Sequence, residues 1–110
     1  MEQAQPSCDI IAITLKDEKA LHANYMPFIK GGGLYAETNQ LLHLGDEVVV
    51  SVKIESLGKK FAIPGKVVWV SSQRQGVGVQ FVGRTKDKIR ALMEFILGDL
   101  AKEPSPSRTY

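Results

Sequence analysis

Apolar positions along most of this chain alternate with polar ones or gather in short β-branched clusters, and only towards the end do they take up a helical period. Ile10-Ile11-Ala12-Ile13-Thr14-Leu15 is the first cluster and predicts a strand. Lys16 to Asn24 form a polar connection in which Asp17 is placed to cap a short helical turn over Glu18 to Ala23. Pro27 biases Met26 towards extended backbone and stops any longer helix. Gly33-Leu34-Tyr35-Ala36 predicts the second strand. After the turn Gly45-Asp46, Val48, Val50, Val52 and Ile54 alternate with Val49, Ser51 and Lys53, the pattern of a half-buried strand.

Ser56-Leu57-Gly58-Lys59-Lys60 predicts a hairpin loop, and Phe61 to Val70 would be long for one strand, so Pro64-Gly65 is expected to bend or bulge it. Phe61, Ile63, Val67 and Trp69 share one face. Val68 and Val70 make the other face apolar too, as expected where a helix covers the outside. A turn at Ser71 to Gly76 precedes the strand Val77 to Val82, with Val77, Val79 and Phe81 on one side. From Thr85 the period changes: Ile89, Leu92, Met93, Ile96, Leu97 and Leu100 line one helical face, with Thr85 placed as N-cap, Asp87 near the positive end of the dipole and Gly98 near the end. Several short strands followed by one helix predict a mainly β fold with a C-terminal α-helix, a small antiparallel barrel plugged by that helix, which hides the sheet edges. Residues 1–8 are expected to be a flexible N-terminus, 9–101 the single domain, and 102–110 a disordered tail.

Composition narrows the function classes. The 14 basic and 12 acidic residues are interspersed and sum to +2, so there is no strong field to collect polyanions. A small barrel binding single-stranded nucleic acid remains an alternative, but it would interleave basic and aromatic side chains, which this chain does not. The single cysteine, Cys8, excludes an intramolecular disulfide and has no neighbour to lower its thiol pKa. No secretion signal is visible at the start and no apolar run reaches the roughly 20 residues of a membrane span, so the expectation is a cytoplasmic protein without membrane insertion. His22 and His43 are far apart on polar segments and read as surface histidines. No catalytic constellation and no metal or cofactor ligand set emerges.

The most distinctive segment is Gly31-Gly32-Gly33, set between Pro27-Phe28-Ile29-Lys30 and Leu34-Tyr35. Glycine reaches positive φ at little steric cost but loses much entropy on folding, so three within an apolar run imply a specially shaped loop entering a strand. A phosphate loop would continue with Lys-Ser/Thr and a helix, which Leu34-Tyr35 do not provide. Together with Gly45-Asp46-Glu47-Val48, Gly65-Lys66-Val67-Val68-Trp69-Val70, Gly76-Val77-Gly78-Val79-Gln80-Phe81 and the terminal helix, this loop resembles the PilZ domain family over most of the chain. Tyr25 to Tyr35 is similar to the stand-alone type in that family that serves type IV pilus assembly.

The resemblance implies a PilZ-like split barrel and a connection with the bacterial messenger cyclic di-GMP. Two family motifs carry messenger binding, and this chain departs from both. An Arg-x-x-x-Arg pair precedes the barrel in the family, whereas the first arginine here is Arg74. In the second motif, Asp/Asn-x-Ser-x-x-Gly, aligning the glycine with Gly33 puts Phe28 at the acidic or amide position and Lys30 at the serine. Each lost charge-assisted hydrogen bond costs roughly 1.5–3 kcal/mol, enough in combination to take a micromolar ligand out of useful range. The resemblance therefore implies a non-enzymatic adaptor in pilus biogenesis and twitching motility, recruited to the pilus base at the cell pole. Its family partners are the pilus extension ATPase and a degenerate GGDEF–EAL receptor of cyclic di-GMP. The alternative is direct messenger binding with Lys16, Lys19 or Lys30 replacing arginine.

The candidate protein-interaction residues are Tyr25, Met26, Pro27, Phe28, Gly31, Gly32, Gly33, Tyr35 and Trp69. The loop aromatics and methionine have the composition of an interface centre, or else of a lid folded over the barrel mouth. Trp69 is either a core residue or an exposed anchor. Phe95 lies off the main helical stripe, and either widens the core face or touches a partner.

Overall fold

The computed structural model describes residues 9–71 and 75–98. Five strands and two helices follow in the order β1 (Asp9–Leu15), α1 (Glu18–Asn24), β2 (Gly33–Glu37), β3 (Glu47–Ile54), β4 (Lys59–Val70), β5 (Gly76–Phe81) and α2 (Lys86–Leu97), with a 3-10 turn at Glu55–Leu57 between β3 and β4. They form one curled sheet with strand order β1-β3-β4-β5-β2. This is the mainly β architecture with a C-terminal helix that the sequence predicts. Residues 1–8, with Cys8, and 99–110, with Leu100 and the tail, lie outside the described residues.

Alternation sets the faces. Ile11, Ile13 and Leu15 of β1 pair with Val50, Val52 and Ile54 of β3, and Val50 and Val52 with Ile63 and Phe61 of β4, so every member of the inward set meets another. With Leu34, Val79 and Phe81 they build one core, closed over the concave side by Leu21 of α1 and Met93 and Leu97 of α2. Each such side chain contributes roughly 1.5–3 kcal/mol on burial. The Asp17 carboxylate accepts from the Ala20 N–H at 3.0 Å, the expected cap, and the turn it starts grows into the full helix α1 because Leu21 is completely buried.

Five expectations are corrected. β1 pairs parallel with β3, unlike the other three ladders, because the chain between them passes through α1 and β2 and returns from the same end. Pro64-Gly65 does not bulge β4: Pro64 stands opposite Val49, its carbonyl accepts from Val82 N–H, and the β5 ladder starts only at Gly65, so the missing proline N–H falls where pairing ends. The irregularity lies at Val68, between the pairs Val67–Val79 and Trp69–Gly78. Both helices pack on the concave side, with Leu21, Met93 and Leu97 in the core, so the outer face is not covered by the helix that its apolar residues predict. Thr85 occupies the N-cap position without a side-chain capping bond. Finally, His22 is buried at 8% exposure, since it follows Leu21 on a helix pressed against the sheet.

Candidate functional site

The glycine loop is fixed from both ends. Tyr25 forms an isolated bridge with Leu34, and the Met26 N–H donates to the Gly33 carbonyl at 2.9 Å. Within the loop the Ile29 N–H donates to Met26 and the Gly32 N–H to Ile29, at 3.3 and 2.7 Å. Two further bonds tie it to β5: Phe81 N–H to the Gly32 carbonyl at 3.0 Å, and the Gln80 side-chain amide to the Lys30 carbonyl at 2.9 Å. Gly31 and Gly32 have φ of 81° and 91°, where side chains are strained. Gly33 serves closeness instead, since a Cβ there would lie 2.7 Å from Ile29 Cδ1 and 2.8 Å from the Val79 carbonyl.

This bracing holds Phe28 out in solvent at 63% exposure, with Pro27 and Lys30 exposed beside it. Tyr25 and Met26, by contrast, are buried and secure the loop. The Tyr25 ring stacks on Phe81 at 6.5 Å, and its hydroxyl donates to Glu94 Oε2 at 3.3 Å, the same oxygen that Arg90 Nε approaches at 3.3 Å. Burial first, then the charge and hydrogen bond of Glu94, raise the Tyr25 phenol above its ordinary value of 10.0. Arg90 and Glu94 thus position the loop from α2, a role their i,i+4 spacing on a charged helix face does not reveal.

Trp69, Tyr35 and Met26 meet on the outer side of the sheet. The bulge at Val68 shifts the register by one residue, so that Val70 opposes Val77 and packs on the core while Trp69 opposes Gly78. Trp69 is therefore an outer-face residue, half-buried against Tyr35 with ring centroids 5.9 Å apart. The glycines of β5 make the floor: a Cβ on Gly78 would lie 3.2 Å from Trp69 Cβ and 3.4 Å from Met26 Sδ, and one on Gly76 would lie 2.6 Å from Tyr35 Cζ. Of the nine candidate residues, Met26, Tyr35 and Trp69 are in one cluster, the three glycines shape the loop, Pro27 and Phe28 form its exposed tip, and Tyr25 is in the core. Phe95 stands out from α2 at 83% exposure.

The PilZ domain family model matches residues 10–98. The chain belongs to the PilZ domain family. No curated protein sequence matches it significantly. As a PilZ domain it belongs among modules with a role connected to cyclic di-GMP, as adaptor or receptor. Among the described residues no group of His, Cys, Asp or Glu is arranged to hold a metal ion, and no helix is long and apolar enough to cross a membrane.

Proposed function

We propose that this PilZ domain is a non-enzymatic adaptor in type IV pilus biogenesis, one that binds the pilus extension ATPase and a degenerate GGDEF–EAL receptor without itself holding cyclic di-GMP. The observation that carries this reading is Phe28: the position aligned with a ligand carboxylate or amide in the family's motif bears an aromatic ring, 63% exposed on a loop braced at both ends. An apolar ring held in water at an entropic and hydration cost fits a surface completed by a partner. The family's arginine pair has no counterpart before the barrel, and Lys30 stands where its serine would accept or donate. The half-exposed Trp69, seated on Tyr35 and Met26, supplies a second aromatic contact with little rotamer entropy left to lose.

Two measurements test this. With the purified chain and cyclic di-GMP, calorimetry is expected to give no saturable heat; a micromolar isotherm would overturn the adaptor reading in favour of a receptor. In pull-downs with the purified ATPase and the EAL-type receptor, Phe28→Ala is expected to lose one or both partners, with a hot-spot cost of about 2 kcal/mol or more.

A further inference from the structure

The outer face of β1, β3 and the Lys59–Pro64 part of β4, away from the Trp69 cluster at the other end of β4, departs from the polar exterior usual for a sheet with one buried side. Register places its side chains in three rows running across the strands. Ile10, Val49 and Pro64 form an apolar ridge, with Ile10 65% exposed; Ala12, Ser51 and Ala62 form a furrow of small side chains; and Thr14, Lys53 and Lys60 form a cationic row. No charge interrupts the first two rows. Lys53 and Lys60 face each other directly across the β3–β4 ladder, where like charges repel, and no ion pair of theirs with a described residue offsets it. Ridge and lysine row are four residues apart along each strand, about 13 Å at roughly 3.3 Å per residue, and an α-helix with its side chains is about 10–12 Å across.

We propose that this furrow receives an amphipathic helix of a partner protein, laid across the strands with its apolar flank on Ile10, Val49 and Pro64 and an acidic flank against Lys53 and Lys60. The occupant follows from charge. A second copy of this chain would bring together two faces that each carry Lys53, Lys60 and Lys66 against Glu47 alone. Residues 99–110 contain two acidic and two basic side chains, Asp99 and Glu103 with Lys102 and Arg108, and so do not complement the row. An anionic membrane gains about 1 kcal/mol per lysine at its surface, which for two lysines and one protruding isoleucine is too weak to hold the protein. An acidic helix satisfies both flanks at once. The site is independent of the adaptor reading, since it uses neither Phe28 nor Trp69.

The test is titration of the isotopically labelled full chain, followed by amide chemical shifts, with a synthetic 18-residue helix bearing a leucine stripe flanked by glutamates, and with its counterpart bearing lysines. The expected result is saturable shifts confined to 10–14, 49–53 and 60–64, produced by the glutamate peptide only. The double variant Lys53→Glu/Lys60→Glu, exposed and hence well folded, is expected to weaken binding about tenfold or more, and Ile10→Ser likewise to weaken it. Absence of shifts up to millimolar peptide, equal shifts with the lysine peptide, or shifts centred on 25–35 would overturn the proposal. So would concentration-dependent shifts of this face without peptide, which mark self-association, or loss of these signals with vesicles of three parts phosphatidylcholine to one of phosphatidylglycerol when the peptide has no effect.

Discussion

Tyr25 is the residue through which the loop, the core and α2 are joined. Its ring stacks on Phe81, its backbone bridges to Leu34 and its hydroxyl reaches Glu94. Tyr25→Phe keeps the ring and removes the hydroxyl, so a cost of about 1 kcal/mol is expected in urea unfolding, the usual size for a partly buried hydrogen bond. The pH dependence has a definite sign. Because burial and Glu94 raise its folded-state value, the folded chain holds the phenolic proton where the unfolded chain releases it. That contribution is whole below about pH 10 and is lost as pH rises through the raised value. Unfolding midpoints between pH 9 and 11.5 should fall more for the native chain than for Tyr25→Phe; equal falls would show that the phenol is not coupled to folding. Gly33→Ala probes the loop's other anchor. The new Cβ would press on both Ile29 Cδ1 and the Val79 carbonyl, and since the latter is backbone that cannot step aside, a loss of about 1–3 kcal/mol is expected.

At the scale of elements, β3 and α2 were legible in the sequence because each buries one side: Val48, Val50, Val52 and Ile54 repeat with period two, and Met93 and Leu97 repeat at helical spacing. The helix can be tested against itself. Met93→Ala removes a fully buried side chain and is expected to cost about 2–5 kcal/mol, whereas Phe95→Ala, on the opposite side, should stay within about 0.5 kcal/mol in the same denaturant measurement. β4 was only half legible. Its bulge falls in Val67-Val68-Trp69, where every residue is apolar and no glycine or proline marks the extra position, while Pro64-Gly65, whose residue types point to a bulge, keeps regular pairing register. One unmarked residue reversed the face of Trp69. Deleting Val68 should leave a continuous register in which Trp69 still opposes Gly78 on the outer face, so tryptophan emission is expected to stay unchanged; a blue-shifted emission, with Trp69 turned towards the core, would place the bulge elsewhere. The candidate site was legible as a segment but not as a geometry, since periodicity cannot tell that Tyr25 points inward while Phe28, three residues on, points out.

The whole molecule is a curled sheet whose concave side is filled by two helices and whose surface carries aromatic groups set by backbone features, the glycine loop for Phe28 and the bulge for Trp69. The PilZ fold supplies the frame, and the residues placed on it decide whether the frame reads a nucleotide or a protein. Here two positive-φ glycines and the closely packed Gly33 shape the loop, and the proposed function rests on Phe28 and Lys30 standing in place of the family's ligand groups. The measurement closest to that central claim is titration of the pilus extension ATPase and of the EAL-type receptor with the native chain and with Phe28→Ala, both variants first shown to unfold at the same denaturant concentration. The account predicts binding by the native chain and about thirtyfold or greater weakening for Phe28→Ala with at least one of the two partners, the equivalent of about 2 kcal/mol. Equal affinities of the two chains for both partners would contradict it.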